Sequence, residues 1–67
     1  MHVGEVIEFD DPAGLGAVRD DETGIEHPFH CTAIADGSRT IEVGARVTFT
    51  VVPGHQGHWE AAGLGPA

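Results

Sequence analysis

The 67-residue sequence predicts an all-β domain, a five-stranded antiparallel Greek-key barrel, on three observations. Ten glycines and four prolines divide the chain at short intervals. The segments between them are rich in Val, Ile, Thr and Phe, residue types that favour strands. No segment carries a helical apolar stripe, and one long connection separates the third predicted strand from the fourth, as a Greek key requires.

The elements follow in order. Val3 to Phe9 reads as the first strand, and the apolar pair Val6-Ile7 breaks its alternation, which predicts a bend or bulge. Asp10-Asp11-Pro12-Ala13-Gly14 is turn chemistry, because a fixed proline φ is flanked by acids and glycine. Leu15 to Arg19 forms the second strand, and Asp20-Asp21-Glu22-Thr23-Gly24 is a hairpin loop. Ile25, His27 and Phe29 alternate along a third. Thr32 to Val43 is the long connection, with turn signals at Asp36-Gly37-Ser38 and Val43-Gly44. Arg46 to Val52 is the clearest strand: Val47, Phe49 and Val51 share one face, and Arg46, Thr48 and Thr50 the other. Pro53-Gly54-His55-Gln56-Gly57 then turns the chain into a last strand, about Trp59 to Leu64. The expected core is Val6, Val18, Ile25, Phe29, Ile34, Ile41, Val47, Phe49, Val51 and Leu64.

Length allows a single domain, residues 1–67, of modest stability, because so short a chain buries only about 60% of its unfolded surface. A single cysteine, Cys31, cannot make an internal disulfide, and no Cys/His spacing suggests structural zinc. No charged leader precedes an apolar run and no long apolar segment occurs, so a cytoplasmic protein with no membrane contact is expected. Eleven acids stand against three arginines and no lysine, for a formal net charge of -8. Such a balance favours a soluble monomer and repels phosphate backbones.

Order and spacing of several short motifs resemble the bacterial cold-shock domain, over nearly the whole chain from Gly4 to Leu64. Gly4 and Val6 match its opening strand, and Phe9-Asp10 its aromatic-asparagine step. Gly14-x-Gly16-x-Val18 matches the glycine frame of the first ribonucleoprotein motif. His30-Cys31-Thr32-Ala33-Ile34 is similar to the run that follows the second. Gly37-x-Arg39-Thr40-Ile41-x-x-Gly44-x-x-Val47-x-Phe49-x-Val51 follows the remainder, apart from a slightly shortened loop. The resemblance implies an OB-like barrel that binds single-stranded RNA or DNA without catalysis or cofactor. Its binding residues map onto Phe9, Leu15, Arg19, Pro28, His30 and Arg39, with the arginines near phosphates.

The departures fall on one kind of position. Where the family carries exposed aromatics and lysines, this chain has Ile7, Glu8, Ala13, Leu15, Ala17, Pro28, Cys31 and Ser38. Base stacking contributes roughly 1–3 kcal/mol per base, so losing three or four platforms removes on the order of several decades of affinity. A carboxylate such as Glu8 beside a phosphate costs about 1 kcal/mol more in a water-like dielectric. Weak binding is therefore expected, and a protein partner on the same face is the alternative, with Ile7, Leu15, Ala17 and Pro28 beside Glu8 forming an apolar patch rimmed by charge. Phe29 takes an inward position and should pack rather than stack.

The remaining features have ordinary readings. Large aromatics are mostly buried, so Trp59 is expected to cover an open barrel end, the alternative being a stacking surface beside His55 and His58. His55-x-x-His58 with His27 and His30 could be drawn as a metal set, but these lie on a glycine turn and on opposite strand faces, so no metal site is expected. The acidic runs Asp10-Asp11 and Asp20-Asp21-Glu22 read as solvated turns, and Cys31 as a packing residue. No pattern predicts an enzyme.

Overall fold

The computed structural model describes residues 1–54 and 58–67. Its strands are β1 (His2–Asp10), β2 (Leu15–Asp20), β3 (Glu26–His30), β4 (Arg46–Pro53) and β5 (Trp59–Pro66), with one 3₁₀ turn, Cys31–Ala33, after β3. All neighbours pair antiparallel in the order β3-β2-β1-β4-β5. The fourth strand returns beside the first, which is Greek-key topology. The sheet curls into a barrel-like form without closing. A parallel bridge joins Ile34 to Leu64, where the Ala35 N–H donates to the Leu64 carbonyl at 2.7 Å. β3 is therefore an edge strand, where Pro28, lacking an N–H, is tolerated.

Two bulges shape the interior. In β1 the register slips between Val6 and Glu8, at the pair where alternation breaks. Val6 and Phe9, three positions apart, consequently both turn toward the core. In β5 the stretch between Ala62 and Gly65 opposes Phe49 alone, and Gly63 takes φ +63° to allow it. That slip puts both Ala61 and Leu64 inside.

The buried core is Val6, Val18, Phe29, Ile34, Val47, Phe49, Ala61 and Leu64. Phe29 packs as expected, at 1% exposure. Ile41 and Val51 are half-buried at its margin. Ile25 does not join it and is 54% exposed: β3 begins at Glu26, and position 25 closes the hairpin beyond the core's edge, its carbonyl accepting the Asp20 N–H at 2.9 Å. Trp59 is also a correction. It starts β5 opposite Pro53 at a strand end and is 58% exposed, past the reach of the core rather than covering it.

Ring stacks mark two ends of this core. His2 stacks on Phe49 at 5.4 Å, and His27 tilts against the same ring at 5.9 Å. Phe9 stacks on Phe29 at 6.1 Å and 11°. No helix among the described residues is long and apolar enough to cross a membrane.

Candidate functional site

Residues paired in register across neighbouring strands point to one face, so the outer surface of β1, β2 and β3 can be read row by row. One row is Glu8, Ala17 and Pro28; the next is Asp10, Leu15 and His30. A third row, nearer the other end, is Glu5, Arg19 and Glu26. Over the first two rows the face is thus three columns: carboxylates on β1, Ala17 and Leu15 on β2, and Pro28 with His30 on β3; the third row is charged throughout.

The glycine frame makes this arrangement possible. Gly14 holds φ +66°, and a Cβ there would stand 2.8 Å from the Cys31 sulfur. Its N–H donates to the Asp10 carbonyl at 2.8 Å, and its carbonyl accepts the Cys31 N–H at 2.8 Å, so one residue locks the β1–β2 turn to the end of β3. A Cβ on Gly16 would lie 2.6 Å from the Phe29 ring and 2.7 Å from the Glu8 carbonyl. Both glycines serve the scaffold, and Leu15 between them faces outward.

A groove of about 350 Å³ opens on this face, lined by Glu8, Asp10, Leu15, Gly16, Pro28, Phe29, His30 and Glu60. The volume is at the small end for a ligand site. Of the six sequence-predicted binding residues, the fold brings Leu15, Pro28 and His30 together here. Phe9 lies beneath, half-buried against Phe29. Arg19 stands outside the groove between Glu5 and Glu26, and Arg39 sits with φ +64° in the connection before β4. No Lys or Arg is therefore among the described lining residues.

Two lining residues escaped the sequence reading. Glu60 belongs to β5, at the far edge of the sheet from β3, and only the curl of the sheet carries it to His30. No local pattern announces such a long-range approach. Asp10 was expected in a solvated turn, but it ends β1 opposite Leu15, on the groove side of the bulge.

Three ordered electrostatic contacts lie away from the groove. His2 Nδ1 donates to Asp20 Oδ2 at 2.6 Å, and Asp20, only 3% exposed, also accepts the Glu22 N–H at 2.8 Å. The Glu22 N–H first and His2 second hold the Asp20 carboxyl below its ordinary value. Arg46 pairs with Asp21 through both guanidinium nitrogens, which lowers that carboxyl and raises the arginine. Asp36 is lowered by the Ser38 N–H it accepts at 2.9 Å. None of these groups lines the groove.

Among the described residues, no group of three or more His, Cys, Asp or Glu is placed to hold a metal ion. His55, which the sequence sets beside His58 and Trp59, lies outside the described residues. No protein-family model matches the chain, and no curated protein matches it.

Proposed function

We propose that this chain is a divergent cold-shock-type barrel that binds single-stranded RNA or DNA weakly, through its bases, on the β1–β3 face. The observation that carries the reading is the convergence of Leu15, Pro28 and His30 over buried Phe29 in one groove. These are three of the positions that the motif frame assigns to base contact. Leu15 and Pro28 supply flat apolar area and His30 a ring, while Arg19 and Arg39, the arginines that the resemblance sets near phosphates, stand outside the groove. On this reading the protein is a cytoplasmic monomer without catalytic activity or cofactor.

Trp59 adjoins the groove residue Glu60 in β5 and is exposed, so its fluorescence serves as the reporter. Titration with short single-stranded oligonucleotides at moderate ionic strength is expected to give a saturable signal. Amide resonances of Leu15, Ala17 and His30 should shift with it. Flat fluorescence and an unmoved spectrum at millimolar oligonucleotide would overturn the reading.

One observation favours a second reading, a protein partner on the same face: the groove is edged by Glu8, Asp10 and Glu60. Carboxylates around an apolar strip suit a cationic peptide better than a polyanion. Co-purification from cells with and without nuclease separates the two, since partners that vanish on nuclease treatment count for nucleic acid.

A further inference from the structure

We infer that the groove discriminates among bases by their exocyclic amino groups, taking cytosine ahead of thymine or uracil; this rests on the nucleic-acid reading above. The geometry is that of the two outward rows. Glu8 stands beside Ala17 and Asp10 beside Leu15, each one strand spacing, about 4.8 Å, from the apolar column. Both acids are exposed and lie on one side of β1 beyond the bulge. A base lying on Leu15, Ala17 and Pro28 therefore turns an edge toward two carboxylates.

An ionised carboxylate only accepts hydrogen bonds. Cytosine offers it the N4 amino group, the pairing by which Glu and Asp read this base. Thymine and uracil turn a carbonyl oxygen to the same place, and two acceptors facing each other leave both unsatisfied. The apolar walls of the groove, Leu15, Pro28 and Phe29, offer a carbonyl edge no donor in place of the carboxylates. Carboxylates that repel phosphate thus act as the selective element, and the apolar column supplies the area. Among the described lining residues no Arg offers a competing contact to a carbonyl edge.

The test uses the intact protein with equal-length, fluorescently labelled oligo(dC) and oligo(dT), followed by anisotropy at mildly alkaline pH and moderate salt. Oligo(dC) is expected to bind about tenfold more tightly, the worth of one good amino–carboxylate contact. The double variant Glu8→Gln with Asp10→Asn should bring the two affinities together while raising that for oligo(dT), because an amide can donate to a carbonyl edge. Both positions are exposed, so the amide spectrum should show an unchanged fold. Equal affinities, or tighter binding of oligo(dT) by the native protein, overturn the selectivity but leave the nucleic-acid reading standing. Binding of neither oligonucleotide overturns both. A preference for oligo(dC) that survives the double variant assigns the selectivity to other groups and overturns the role of Glu8 and Asp10.

Discussion

Asp20 shows how a single side chain ties this small fold to its solvent. It is the buried acid of the core's edge, held by the Glu22 N–H and the His2 imidazole, and both hold its carboxyl below the ordinary value of 3.8. A group whose folded pKa lies below its unfolded value contributes stability that is fully present above the unfolded pKa. That contribution fades as pH falls through the folded one. The native protein should therefore lose stability below about pH 4, and Asp20→Asn should flatten the fall, although Asp21 and Asp36 keep part of it. Urea midpoints measured across the acid range check this. Parallel pH profiles for the two proteins would show that Asp20 binds its proton alike in both states. His2 gains a second role in the same contact, since its ring also covers Phe49 and brings the start of β1 onto the core.

Among the elements, β2 and β3 carry most of the groove, and their outer columns offer a direct way to test the proposed base contact. Leu15→Phe and Pro28→Phe would set two rings on diagonal positions of adjacent strands, both exposed on the face. Each ring should add about 1–3 kcal/mol per stacked base, or roughly ten- to hundredfold in affinity for single strands. Anisotropy of a labelled oligonucleotide measures it, and no gain from either ring would mean that bases do not lie on this face. Strands were legible in the sequence where alternation shows, in Ile25, His27 and Phe29 and in Val47, Phe49 and Val51, and the break at Val6-Ile7 is where the bulge falls. Legibility failed where register, rather than pattern, decides. Ala61 is buried only because the slip at Gly63 turns it inward with Leu64, and Ile25 keeps the parity of β3 yet lies past the core. Glu60 reached the groove through the curl of the whole sheet, which no neighbouring residue encodes. Leu15, Pro28 and His30, which the motif frame picks out, line one groove because strand register fixes which side chains share a face.

At the scale of the whole molecule, charge and groove must be weighed together. A protein that neutralises several phosphates loses affinity steeply with salt, with a slope near -0.7 per contact on single strands. Here the formal charge is -8, and the groove is lined by three acids with no Lys or Arg among its described residues. Its extents of 28 × 27 × 17 Å exceed the Debye length, about 10 Å at 0.1 M salt. At low salt an approaching strand therefore feels the charge of the entire barrel, whereas at 0.1 M, by the same roughly 10 Å screening, it feels only the groove and its rim. Oligonucleotide affinity should then rise from low to moderate salt and change little beyond, opposite to a phosphate-led binder. Anisotropy across a potassium chloride series measures the slope. A steady fall with salt, equivalent to two or more phosphate contacts, would require Arg19 and Arg39 to grip the backbone despite Glu5 and Glu26 beside Arg19. Such a result would move the ligand's path off the groove and toward the third row of the face. A rising or flat profile instead supports the proposed contact through the bases, because the apolar strip of the groove, unlike its acidic rim, does not repel them.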